Sequence, residues 1–253
     1  MTPYPRFLLR VVQAGFLGYP FLVWALWLWS PLGFWGCLYL ALLLELLPLL
    51  GMAQLPLADD EGSFPRIPVY LSSGAIILAL GWGGLLIGSG EVGREFMGLG
   101  PVHPVPLILW SLGSTLGILA LQLTFLLGRI RAGMKETALL HQLLPRTLPE
   151  KVVFVFLSLA AGLGEEIAFR GFAVPVLILL TGSGWGAVLI SSMAFGVLHG
   201  YQGWLGVART GAMGFLLGAS FLLSGSLWPV ILAHATLDLV SGLFLGDTLL
   251  RER

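Results

Sequence analysis

Of 253 residues, 57% are hydrophobic and 10% are charged, well under the roughly 25% charge usual in soluble domains, so the chain reads as a polytopic membrane protein. Thirteen basic residues balance thirteen acidic ones with no long run of either sign, which argues against nucleic acid as a partner. A lone cysteine, Cys37, excludes an intramolecular disulfide, and no Cys/His pairs stand at structural zinc spacing.

A bilayer core of about 30 Å asks for roughly 20 apolar residues per helix. Such stretches occur at 11–30, 32–50, 68–88, 105–128, 152–170, 185–200, 204–224 and 227–245, which predicts an all-α transmembrane helical bundle of about eight spans. The first is too long for a signal-peptide core and lacks a small-residue cleavage site, so it is expected to be a retained span. A ninth apolar piece, 172–180, is long enough only for a helix extension or a re-entrant segment and is left uncounted, and Pro175 with the following TGSG favours a break there.

Orientation follows the basic residues, which tend to stay in the cytoplasm. Arg6 and Arg10 precede the first span, and the longest polar connection carries Arg129, Arg131, Lys135, Arg146 and Lys151, whereas the 90–104 loop has only Arg94 beside Glu91 and Glu95. Four spans separate the first two clusters and four more lead to Arg251 and Arg253, so both termini are expected in the cytoplasm. The 51–67 loop, with Asp59, Asp60, Glu61 and Arg66, falls on the same side and is neutral by this rule. The chain accordingly divides into amino-terminal helices at 1–128, a basic cytoplasmic loop at 129–151 and a helical core at 152–246.

Polar groups concentrate in that core: Glu165, Glu166, Arg170, His199, Arg209, His234 and Asp238 lie in or beside apolar stretches. An ionisable residue in a span costs roughly 2.5–3.5 kcal/mol on insertion scales, so such groups face protein or water and pair with one another. Glu166 and Arg170 stand at i, i+4, where a glutamate and a downstream arginine meet on one helix face. Glu165, rotated by about 100° from its neighbour, is the spare carboxylate, available to take a proton from water and pass it to a leaving group. The same cluster could instead be a structural lock between helices. His199 ends an apolar helix, and His234 and Asp238 lie one turn apart on one face. Two histidines with a carboxylate can bind a metal, orient a water or donate to an oxyanion. Bland readings suffice elsewhere: Glu45 as an interfacial acid near a helix end, His103 and His141 in loops, Arg209 as an anchor or a cavity wall.

The stretches EEIAFR, FGVLH and HATLD resemble the three ordered motifs of the CPBP family, the membrane-embedded CAAX proteases and bacteriocin-processing enzymes: EExxxR, FxxxH and HxxxN or HxxxD. The likeness runs from Lys151 to about Asp238. It implies an intramembrane endopeptidase in which Glu165, helped by His199, activates a water. It further implies that His234 and Asp238 stabilise the oxyanion and that Glu166 with Arg170 hold the site together. Asp238 stands where eukaryotic members usually have asparagine; a carboxylate donates only when protonated, so it can instead orient His234. The family has been described as metalloproteases, but no HExxH is present, and a glutamate mechanism without metal or other cofactor is expected. Zinc on His199, His234 and Glu165 is the less favoured arrangement.

The partners implied are a peptide or protein substrate at the membrane and the lipid bilayer, and the location implied is the plasma membrane of a prokaryote. A non-catalytic immunity or scaffold protein of the same fold is the alternative, and a proton-coupled transporter is disfavoured by the lack of an inverted repeat. One tension stands. Counted from Lys151, Glu165 lies about 20 Å deep, whereas His199 falls near the cytoplasmic end of its span. Either the helix of Glu165 begins further back, within 136–151, or that of His199 continues through Tyr201, around a water-filled cavity open to the cytoplasm.

Overall fold

A computed structural model describes residues 6–58, 65–134 and 137–245, with residue 245 described in backbone only. The expectations placed on Asp59, Asp60, Glu61, Lys135, Arg251 and Arg253 lie outside the described residues. Among those described there is no strand. The helices are α1 (Arg6–Trp29), α2 (Phe34–Leu57), α3 (Arg66–Glu91), α4 (Pro104–Arg131), α5 (Ala138–Leu143), α6 (Leu148–Thr181), α7 (Gly184–Leu198), α8 (Gly203–Ser224) and α9 (Trp228–Phe244). Every expected span has its helix. Six are long and apolar enough to cross a membrane, while α7 and α9 are shorter. Large apolar side chains such as Phe7, Trp24, Ile76, Leu116 and Trp204 remain exposed, as a lipid-facing surface requires.

The 172–180 piece is a helix extension, and the break favoured by Pro175 and TGSG comes only at the TGSG. The chain leaves the α-helical ladder earlier, in a π turn over Ile167–Ala173, and resumes at Val174 with Pro175 in the first turn, where a missing N–H costs least. The helix closes instead at Gly182, whose φ of +70° suits glycine and whose N–H donates to the Ile178 carbonyl at 2.8 Å. His141, expected in a loop, lies buried on α5. Glu45 is not near a helix end but mid-way along α2, in a second π turn over Leu42–Leu46.

A capping box sets the start of α6. Glu150 N–H donates to Thr147 Oγ1 at 3.4 Å, and Glu150 Oε2 accepts from the Thr147 and Arg146 N–H groups at 3.0 and 2.7 Å. Arg66 on α3 reaches Glu150 at 3.5 Å and the Gln142 carbonyl at 2.6 Å, so the basic connection is tied down at this end. The helix of Glu165 therefore begins at Leu148, within 136–151 but only one turn before Val152, and α7 ends at Leu198, short of Tyr201.

The depth conflict resolves from the other end of the helices. Measured from the tight turn between α6 and α7, Glu165 lies about 24 Å back along α6 and His199 about 22 Å along α7, at 1.5 Å per residue. The short α7 stops level with Glu165.

Glycines let α6 sit this close to its neighbours. A Cβ on Gly164 would stand 2.3 Å from the Ile77 carbonyl oxygen of α3, and one on Gly162 would stand 2.7 Å from the Ala235 Cβ of α9. Gly164→Ala is expected to force α3 and α6 apart and lower stability by about 1–3 kcal/mol. Gly128→Ala on α4, where nothing lies within 4 Å, is expected to be tolerated. Melting temperatures in detergent check the pair; equal values would refute the close-approach argument.

Candidate active site

Arg170 is the largest fully buried side chain, and each of its contacts goes to a different element. Its NH1 donates to Glu166 Oε1 at 2.7 Å, its NH2 donates to the Gly214 carbonyl of α8 at 3.0 Å, and its Cζ lies 4.5 Å from the ring centroid of Phe195 on α7. A planar fork of donors over an aromatic face suits arginine and would not suit lysine. Glu166, with no exposed surface, is the i, i+4 partner read from the sequence. It has a second partner that the sequence did not reveal. His234 of α9 places Nδ1 2.7 Å from the same Oε1, and since a carboxylate only accepts, Nδ1 carries the hydrogen. Among the described residues Glu166 Oε2 has no hydrogen-bond partner, a site suited to an ordered water.

Held at Nδ1, the His234 ring turns Nε2 toward two further acids, Glu165 Oε2 at 3.9 Å and Asp238 Oδ2 at 3.8 Å. Both separations are too long for a direct hydrogen bond and right for one bridged by water. Exposure rises outward across these groups, from 6% for the His234 side chain through 10% for Glu165 to 32% for Asp238, so the site opens on the Asp238 side.

His199 caps α7 and is joined differently. Its Nδ1 lies 2.8 Å from the Phe195 carbonyl oxygen; that oxygen only accepts, so Nδ1–H donates and Nε2 of the neutral ring is left as an acceptor. The ring packs on Phe195 at 4.8 Å between centroids, and His234 meets the same phenyl edge-on at 6.2 Å. Phe195 is thus the common wall for Arg170, His199 and His234. Among the described residues His199 makes no direct hydrogen bond to Glu165. The structure connects Glu165, Glu166, Arg170, His234 and Asp238 as one polar group and brings His199 to its border.

Other functional candidates carried little sequence signal. Tyr201 and Gln202 occupy a one-turn 3-10 helix directly after His199, and Arg209 of α8 donates to Gln202 Oε1 at 3.0 Å. Among the described residues no three His, Cys, Asp or Glu side chains group as metal ligands. Beside the polar group, an apolar cavity of about 540 Å³ runs between α3, α6 and α9, lined among others by Trp82, Ile167, Trp228 and Ile231. Ile167 follows Glu166 in sequence, and Ile231 lies a turn before His234.

Glu166→Gln is expected to cost about 3–5 kcal/mol, because it leaves the buried Arg170 charge without the negative charge that it and His234 share. Yield of monodisperse protein and melting temperature check this; an unchanged melt would show that the pair contributes little.

Residues 147–240 match the family model described as type II CAAX prenyl endopeptidase, Rce1-like, while residues 1–146 lie outside the match. No curated protein and no solved structure matches the chain.

Proposed function

Since its 147–240 core places this integral membrane protein in the CPBP family, the Rce1-like CAAX endopeptidases, we propose that it hydrolyses peptide bonds of membrane-associated substrates with Glu165 as the base that activates water. The observation that carries the reading is the division of labour between adjacent glutamates. Glu166 is consumed by Arg170 and His234 at 2.7 Å each, while Glu165 Oε2 stands 3.9 Å from His234 Nε2, beyond direct hydrogen-bond reach, and keeps its carboxylate free for a water.

In this mechanism Glu165 takes one proton from the water, and the resulting hydroxide attacks the scissile carbonyl carbon. His199 Nε2, left as an acceptor, holds the water's other hydrogen. Negative charge gathers on the former carbonyl oxygen, where His234, donating from Nε2 in its doubly protonated form, stabilises it. Glu165 then returns its proton to the amine nitrogen as the carbon–nitrogen bond breaks. Asp238 orients His234, and Arg170 holds Glu166. The apolar cavity along α3, α6 and α9 suits the hydrocarbon part of a membrane-anchored substrate, as the prenyl group of a CAAX peptide would be.

The reading needs no metal. Glu165 can serve as the base by itself, with His199 and His234 each held at Nδ1 and free at Nε2 to orient water and the oxyanion. The proposed orientation puts the end with Arg66, Arg129, Arg131, Arg146 and Lys151 in the cytoplasm of a prokaryotic cell.

Purified protein in liposomes, incubated with a synthetic farnesylated CAAX peptide and analysed by mass spectrometry, tests the activity. Wild type is expected to release the carboxy-terminal fragment, and Glu165→Gln to reduce turnover by at least roughly 100-fold with an unchanged melting temperature, since the amide keeps shape but takes no proton. Equal cleavage by both proteins would refute Glu165 as base, and no cleavage by either would favour a non-catalytic role.

Activity is also expected to survive exhaustive chelation, with no stoichiometric transition metal by elemental analysis. One zinc per chain, with activity lost on its removal and restored on its return, would replace the glutamate mechanism with a metal-assisted one.

A further inference from the structure

The polar chain beside His199 has a direction, and the direction identifies a further participant in the reaction. Gln202 Oε1 accepts from Arg209 NH2 at 3.0 Å and from Thr210 Oγ1 at 3.4 Å. A guanidinium nitrogen can only donate, so the amide atom facing it is the oxygen, and the amide nitrogen is forced to the other side. There Nε2 donates to the Tyr201 hydroxyl oxygen at 3.1 Å. The phenol is therefore the acceptor in that bond, and its single proton is left for another group. Among the described residues that proton has no acceptor.

The Tyr201 ring lies 5.8 Å from that of His199, at the border of the acid and histidine group. Its placement is rigid. A Cβ on Gly200 would stand 2.1 Å from the Gly51 carbonyl oxygen, so the turn is pressed against α2, and Gly203 leaves it at φ +73° to begin α8.

We propose that Tyr201 is a catalytic residue whose O–H donates to the carbonyl oxygen as it becomes negative, held in place by Gln202 and Arg209. The proposal rests on the peptidase reading above. Three carboxylates surround the attack site, and none in its charged form can donate to an oxyanion; besides His234 Nε2, the Tyr201 O–H is the donor at hand. Charge runs the right way along the chain. The Arg209 cation polarises the Gln202 amide, the amide polarises the phenol, and each hydrogen bond strengthens the next. No proton leaves Tyr201 during the step.

Two substitutions test this on the farnesylated CAAX peptide in liposomes. Tyr201→Phe removes only the hydroxyl and is expected to lower kcat by roughly 100-fold, the range for loss of one oxyanion donor, with KM and melting temperature little changed. Gln202→Glu keeps the acceptor for Arg209 and Thr210 but turns the group facing Tyr201 from a donor into an acceptor. It should draw the phenolic proton away and lower kcat comparably, with the ring intact.

Wild-type turnover together with kcat within about twofold of wild type in both variants would overturn the role of Tyr201 while leaving the peptidase reading in place. A fall in kcat matched by a fall in melting temperature in both variants would also overturn it, as evidence of a structural role only. A wild type that leaves the peptide intact, indistinguishable from Glu165→Gln, would overturn the peptidase reading and this inference with it.

Discussion

A fully buried guanidinium holds the site together. Buried away from solvent, Arg170 has its charge met by Glu166 one turn back on its own helix and by groups that other helices deliver, the Gly214 carbonyl on α8 and the face of Phe195 on α7. Each of those contacts then constrains something else. Glu166, fixed by the arginine, is placed to fix His234, and the His234 ring in turn sets the space shared by Glu165 and Asp238. A pair of this kind adds little net stability compared with apolar packing, but removing one partner strands the other. Its value lies in specifying one arrangement of four helices.

Close backbone approach makes that arrangement reachable. With glycine at 81 and 164, α3 and α6 meet almost backbone to backbone, and Gly162 does the same for α9. In lipid no hydrophobic force draws helices together, so small residues that allow many short van der Waals contacts take its place. The π turn over Ile167–Ala173 falls within this packed region and carries Arg170. Such turns shift the phase of a helix, and here the shift comes where one helix has to face three neighbours at once.

The two sides of α6 have opposite character. On one, the acids, histidines and Tyr201 can order water; on the other, Leu163, Gly164 and Ile167 line an apolar cavity. A substrate with a hydrocarbon anchor and a polar peptide needs both kinds of surface within a few ångströms. A single helix with glutamates next to glycine and isoleucine supplies them.

Much of this was legible in the residues. Composition and the recurrence of apolar stretches were sufficient for an all-α membrane bundle, because lipid leaves the backbone few alternatives to helix. The i, i+4 spacing of Glu166 and Arg170 was sufficient for their pairing, since both ends lie on one helix. What crosses between helices was not readable. That His234 belongs to Glu166 and that Phe195 is a shared wall for Arg170, His199 and His234 depend on side chains far apart in sequence. Pro175 does not end the helix, because it falls in the first turn after a π turn, which has no sequence signature of its own, and the chain continues to the TGSG. Depth was misjudged for Glu165 because it was counted from the basic loop. Only the antiparallel pairing of α6 with a short α7 brings His199 level with it, and pairing of helices is set by packing across the bundle, not by the order of residues along one strand of chain.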